Sequence, residues 1–441
     1  TLKCNRNSKV RPAKPYKLQM KGKVFVLFLS FSVSAFSQGK TQSYLRVPVI
    51  DLDRESFRQV VVDREEGQYL GHPTTVLLED GKTILTVFPK GHGRGEIVFR
   101  KSEDGGLTWG ERIPVPDNWK TSKEVPTIYR VEDDRGRKRL IMFSGLYPAR
   151  MAVSENDGET WSGLEMLGDW GGIVVMSSLV PLRTGKGHYM ALFHDDMRYF
   201  TSNGQILYDE DRKINDQRLF TLYKTFSSDG GLTWSYPEVI LSRRDLNLCE
   251  PGAVRSPNGK KIAVLLRENS RRGNSRIIFS YDEGKSWSDP RPLPNELNGD
   301  RHVLKYGPHG RLLCVFRDRS PAAAQGDLNK IAAERKITNL SELATETGLG
   351  SPTEGDWVGW VGTWKDLEKG RPGEYRIRFK DNFNSWDCCY PGVELLPGGT
   401  FVVTTYGPWE AGRQPYILSV RFTLKELDAK AGEIKKEKKI K

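Results

Sequence analysis

The residues best suited to chemistry in this chain stand at regular distances from one another. His72, Glu124 and Glu250 each lie thirty residues before the first Ser of a short repeated motif, and each is followed within two residues by Pro and then by an apolar run. Further on, "FHDD" supplies His194, Asp195 and Asp196, "GDRH" supplies Arg301 and His302, and "FRDRS" supplies Arg317 and Asp318. Arginine forks hold carboxylates or sulfates bidentately, and His and Asp move protons. A pocket that gathers these side chains would bind an anionic molecule and transfer protons to or from it. A solitary His is ordinarily a satisfied structural residue. Yet His72, His194 and His302, half of the six His, fall at expected hairpin ends, where core packing needs them least. No spacing matches a metal motif such as His-Glu-x-x-His, so neither a catalytic metal nor a cofactor is expected.

Hairpins must position these residues. Each excursion runs out along an apolar strand and usually turns at a sequence such as "EDGK" (79–82) or "PNGK" (257–260). It returns after about seventeen residues, so its first and last positions share one edge. This pairs Ser177 with His194, Glu250 with Arg267, Arg301 with Arg317, and Tyr390 with Tyr406. Six hairpins start near 72, 124, 177, 250, 301 and 390.

The repeated motif lies further along each unit. "SEDGGLTW" (102–109), "SENDGETW" (154–161), "SSDGGLTW" (227–234) and "SYDEGKSW" (280–287) share the form Ser-x-Asp-x-Gly-x-Thr/Ser-Trp, with Asn156 replacing Asp in the second. The acid can accept hydrogen bonds from its own turn, Gly supplies positive φ, and Trp folds back as an apolar plug. Spacings of 52, 73 and 53 residues amount to about four strands per unit. The fold class is therefore all-β: a six-bladed β-propeller of four-stranded antiparallel blades. Residues 44–64 are expected to add an outer strand to the C-terminal blade and close the ring. The stretch between Ser320 and Asp356 has helix-forming composition and reads equally as a lid or as a surface excursion.

These repeats are Asp-boxes, and from about residue 44 to 427 the chain resembles the sialidase (neuraminidase) superfamily. "CYPGVELLPGGTFVVTTYG" (389–407) resembles the segment that carries the family's nucleophilic Tyr, which implies that role for Tyr390. "CEPGAVRSPNGKKIAVLLRE" (249–268) resembles the segment that carries its partner Glu and one Arg of a carboxylate-binding triad, which implies those roles for Glu250 and Arg267. A phenol activated by Glu suits a sugar whose own carboxylate would repel a carboxylate nucleophile. The plain alternative is a core Tyr beside a Glu–Arg ion pair. The resemblance is incomplete. Where the family begins blade one with an Arg-x-Pro, this chain has Gly71 and His72. No clear third Arg stands around 355–364, and the loop expected to hold the acid offers only His92, Arg94 and Glu96.

The resemblance implies an exo-glycosidase that removes a terminal acidic sugar such as sialic acid from a glycan. Arg267 with Arg301 or Arg317 would hold the acid group, and His72 or Asp195 would protonate the leaving group. His302, His194, Asp318 and Glu124 would complete the substrate contacts. The same residue types would serve a lyase on a uronate-containing glycan, and a non-catalytic glycan-binding propeller also remains open.

The net charge of +12 does not indicate a nucleic-acid partner. Residues 1–37 hold eight Lys/Arg and no acid, and residues 430–441 hold six Lys against two Glu, so the part between is balanced. Residues 1–19 read as sequence upstream of the initiator Met20. "KGK" and the apolar run from Val24 to Phe36 read as an export signal, cut near Ser37–Gln38, for a periplasmic or secreted protein. That run is too short to span a membrane. Residues 428–441 read as a basic tail, and a monomer is expected. The cysteines at 249, 314, 388 and 389 are too few for a disulfide scaffold.

Overall fold

The computed structural model describes residues 43–199, 219–337, 339–382 and 387–440; the upstream segment and the export signal lie outside them. Six sheets are present among the described residues, and the first strands of successive sheets touch in order around a ring, the last returning to the first. The chain is thus a six-bladed β-propeller. Blades two, three and four have four antiparallel strands from successive stretches of chain. Blade one has three, from Thr74–Leu77 to Ile97–Ser102. Blade five gains a fifth, Val49–Asp51, which pairs parallel to Tyr375–Lys380. In blade six, Gln59–Asp63 pairs antiparallel with Tyr416–Thr423, so the N-terminal stretch completes the last blade and closes the ring.

The repeated turns join the third and fourth segments of blades one to four, on the face opposite the starts of the first strands. In each, the first Ser hydroxyl accepts the glycine N–H, at 2.8–2.9 Å for Gly106, Gly158, Gly231 and Gly284. The Asp or Asn carbonyl-type oxygen accepts the N–H of the Thr or Ser four residues after the first Asp position, at 2.9–3.0 Å. All four glycines have φ between 77° and 89°. A Cβ would be strained there and would also press on the neighbouring blade, against Val402, Leu85, Ile141 and Met190 respectively. The turns are therefore staples between blades, remote from the chemistry.

The insertion forms two helices, α1 (Ala322–Arg335) and α2 (Leu340–Thr347), which pack on each other through Leu328, Ala332, Leu343 and Ala344. Its ends are tied beside the first-strand edge: the Ala322 N–H donates to the Arg271 carbonyl at 2.9 Å. A short helix, α3 (Trp364–Lys369), follows in blade five. The C-terminal stretch, expected as a tail, forms α4 (Leu424–Ile440), whose Asp428 accepts Arg311 Nη1 at 2.8 Å and the Tyr375 hydroxyl at 2.9 Å. Among the described residues no helix is long and apolar enough to cross a membrane.

The hairpin registers differ from those expected in a consistent way. Arg267 lies opposite Cys249 rather than Glu250, Arg317 opposite Asp300 rather than Arg301, and His194 opposite Ile173 rather than Ser177. In blade six the Cys389 N–H, not that of Tyr390, donates to the Tyr406 carbonyl, at 3.1 Å. The cause is a bulge at the start of the first strand. Val174, Glu250, Arg301 and Cys389, like His72 in blade one, sit at φ between 52° and 66°. A non-glycine residue in this region is strained, and the kink turns successive side chains away from the ladder and toward the axis.

Candidate active site

Glu250 occupies one of these kinks in blade four and is buried. Its Oε1 accepts the Tyr390 hydroxyl, which arrives from blade six, in a short hydrogen bond. The same oxygen accepts Arg267 Nη1 at 2.9 Å, and Oε2 has no hydrogen-bond partner within the protein. Burial alone would push the Glu250 carboxyl up, but the Arg267 guanidinium and the Tyr390 hydrogen bond bring it below its ordinary value. Burial and the Glu250 charge push the Tyr390 phenol well up. The resting pair is therefore a neutral phenol donating to an ionised carboxylate. His194 holds this geometry from behind, its Nδ1 accepting the Glu250 N–H at 3.4 Å.

The arginines are organised by Asp300, which is buried at the start of blade five. Arg317 donates Nε and Nη2 to its Oδ2 at 3.0 and 2.6 Å. Arg271 binds it bidentately at 2.5 and 2.8 Å, and Arg267 Nε lies 3.4 Å from Oδ1. Burial would raise the Asp300 carboxyl, but the three guanidinium groups hold it well below the ordinary range. Among the described residues, three cations thus face the two carboxylates of Asp300 and Glu250, an excess of one positive charge. Asp300 and Arg271 were not among the sequence candidates. Asp300 escaped notice because the one-residue register that sets it opposite Arg317, just before the kinked Arg301, leaves no mark in the sequence.

A second cluster adjoins Tyr390. His72 lies in ring contact with Tyr390 at 4.3 Å and stacks on Tyr406 at 4.4 Å. Its Nδ1 accepts the Gly93 N–H at 3.1 Å, so Nε2 carries the proton and donates to the Tyr406 hydroxyl at 3.1 Å. The Tyr406 hydroxyl donates in turn to Asp387 at 3.0 Å, as Tyr69 does at 2.9 Å. His92 Nδ1 lies 3.0 Å from the same carboxylate.

The structure removes several candidates from the mouth. His72 is no leaving-group acid: it is buried, both nitrogens are engaged, and burial followed by the charge of His92 pushes it well down. Asp195 is buried and accepts the Tyr199 N–H at 3.2 Å. Arg301 lies beneath Tyr390, its guanidinium 5.6 Å from the ring centre and Nη1 donating to the Ser177 carbonyl at 3.0 Å. It lines a cavity of about 440 Å³ that runs along the inner strands and is lined by none of Glu250, Arg267 and Arg317. His302 donates Nε2–H to the Leu297 carbonyl at 2.8 Å and stacks on Phe316. Asp318 accepts Thr353 Oγ1 at 2.6 Å and pairs with Arg376 at 3.1 Å, anchoring the far end of the insertion. Glu124 accepts the Val174 N–H across the blade two–three junction, and burial pushes its carboxyl up to about 7.

Burial pushes both His194 and His302 down to about 4. Unfolded imidazoles, near 6.5, take up protons that these refuse until about pH 4. Their stabilising contribution is complete above pH 6.5 and is lost as pH falls to 4, at about 1.4 kcal/mol per pH unit for each. Glu124 acts in the opposite sense between about 4.5 and 7, so the comparison must be between variants. In urea unfolding between pH 6 and 4.5, His302→Gln is expected to flatten the stability slope by one proton; an unchanged slope would show that His302 is not the buried neutral group.

No family model matches the chain. Among curated proteins, a sialidase from Micromonospora viridifaciens is 22% identical over 337 residues, covering 70% of this chain and 44% of that protein. The chain therefore spans less than half the length of this relative. Among solved structures, a protein of unknown function from Dyadobacter fermentans has a TM-score of 0.60 at 15% identity, covering 82% of this chain and 97% of that one. The NanB sialidase from Streptococcus pneumoniae has a TM-score of 0.52 at 12% identity, covering 83% and 70%. At these identities the likeness is one of fold: the chain has the six-bladed propeller of the sialidases, a glycosidase-like scaffold.

Proposed function

We propose that this protein is an exported exo-glycosidase that removes a terminal acidic sugar, of which sialic acid is the type, from a glycan. One observation carries the reading: a neutral phenol at the hub donates its proton to an ionised, buried carboxylate beside a cluster of arginines. Tyr390 attacks the anomeric centre and Glu250 takes the phenolic proton. Arg267, Arg271 and Arg317 hold the sugar's carboxylate against the net positive charge left by Asp300. A carboxylate on the reacting sugar explains why the attacking group is a phenol rather than a second carboxylate. The weak likeness to sialidases points the same way. Export rests on the apolar segment after Met20.

The test is a screen of the mature protein against sialosides and uronate-containing glycans, with mass detection of products. The expected product is a free acidic monosaccharide. An unsaturated uronate, visible by its ultraviolet absorbance, would replace this reading with a lyase. Binding without turnover across the panel would leave a lectin-like propeller.

A further inference from the structure

We propose that His92, backed by Asp387, is the group that exchanges a proton with the leaving-group oxygen, a role that rests on the glycosidase reading above. His92 is open to solvent, with 62% of its side chain exposed, whereas His72, Glu250, Asp300 and Asp387 are buried. Its Nδ1 is held at 3.0 Å from Asp387 Oδ1 and 2.8 Å from the Tyr69 hydroxyl, whose own proton goes to Asp387. The ring is therefore fixed through Nδ1, and the Nε2 edge is the one left for a ligand. Its position follows from two ring contacts: His92 packs edge-on to His72 at 4.8 Å, and His72 touches Tyr390 at 4.3 Å.

Asp387 is the base of this arrangement. It is buried, sits at φ 59°, and gathers Tyr69, Tyr406 and His92. Burial would raise its carboxyl, but His92 together with the two hydroxyls brings it below its ordinary value, so it remains a full negative charge beside the imidazole. A buried carboxylate on one imidazole nitrogen fixes the tautomer and the orientation of the ring, which leaves the other nitrogen to give and take a proton. The same carboxylate also receives the Tyr406 hydroxyl that orients His72, so one residue aligns both the proton-transfer group and the ring against which Tyr390 packs. Asp387 is a positioning residue; His92 is the catalytic one.

The proton count closes over two steps. In the first, the glycosidic C–O bond breaks with its electrons on the leaving oxygen, which takes the Nε2 proton. The anomeric carbon bonds to Tyr390 Oη, and the phenolic proton passes to Glu250. In the second, a water oxygen bonds to the anomeric carbon and gives a proton to Nε2. The bond to Tyr390 breaks and the phenol recovers its proton from Glu250.

The distinguishing measurement is leaving-group dependence. Two substrates carry the same acidic sugar, one on another sugar and one on an acidic nitrophenol that departs without protonation. His92→Ala is expected to lower kcat/KM on the first by about 10²- to 10⁴-fold and on the second by less than about 10-fold. Asp387→Asn should show the same split more weakly, a pattern that simple loosening of the loop would not produce. Because Asp387 keeps the Tyr69 and Tyr406 hydroxyls when His92 is removed, the variant should stay folded with a modest fall in thermal midpoint. Equal losses on both substrates, or no loss on either, overturn the role of His92 while leaving that of Tyr390 intact. A wild-type protein inert on both substrates overturns the glycosidase reading and this role together.

Discussion

Replacing Tyr390 by Phe is expected to lower kcat at least about 10³-fold on any acidic glycoside the wild type cleaves, with affinity for a non-hydrolysable acidic sugar changed only a few-fold. On the proposed mechanism the substitution removes the one oxygen that would bond to the anomeric carbon and keeps everything that holds the ring. His72 still packs at 4.3 Å on one side and the Arg301 guanidinium still lies beneath at 5.6 Å. Arg267, Arg271 and Arg317, the groups proposed to bind the anion, are held by Asp300 and not by the phenol. Glu250 loses a charge-assisted donor but retains Arg267 at 2.9 Å, so a stability loss of about 1.5–3 kcal/mol is expected, well short of unfolding. Steady-state kinetics together with calorimetric binding of the inhibitor separate the two effects. Undiminished kcat would mean that Tyr390 merely packs the hub, and an equal collapse of binding would mean that it shapes the pocket.

The sequence made the wheel legible because its signals are local. Each repeated turn encodes its own hydrogen bonds, and hairpin length alone brings Glu250, Arg267 and Tyr390 to one edge. Register by one residue was not legible. Non-glycine residues at positive φ, such as Glu250 and Arg301, carry no compositional mark, so the kink that swings Glu250 off the ladder and drops Arg301 beneath Tyr390 was invisible. The histidines misled for a related reason. A polar residue at a strand end reads as a mouth residue, yet His302 satisfies the Leu297 carbonyl in the turn before blade five and His72 is spent between Gly93 and Tyr406. Asp387 was obscured by its neighbours. It lies directly before Cys388 and Cys389, and its partners Tyr69, His92 and Tyr406 come from distant points in the chain, which only the closed ring brings together.

Asp300→Asn should be the most damaging conservative substitution in the molecule, costing about 3–5 kcal/mol of unfolding free energy in urea titration. The wild-type carboxylate is fully buried and faces Arg267, Arg271 and Arg317 within 3.4 Å. Asn has nearly the same shape, so no cavity opens and the packing of blade five is preserved. What is lost is the charge that keeps three guanidinium groups together, leaving, among the described residues, Glu250 at Arg267 to offset them. Mutual repulsion then acts at short range with little solvent to screen it. Destabilisation of this origin has a signature that a packing defect lacks: an added anion can take the place of the missing carboxylate and bind the folded form alone. Sulfate stabilises any folded protein by exclusion from its surface, and the wild type measures that background. The variant's midpoint is expected to climb more steeply with sulfate than the wild type's, and Asp300→Asn combined with Arg271→Gln should recover part of the loss without sulfate. A loss below about 1 kcal/mol, or parallel sulfate curves, would show that the three arginines do not depend on Asp300 and that the proposed carboxylate-binding site is assembled by something else.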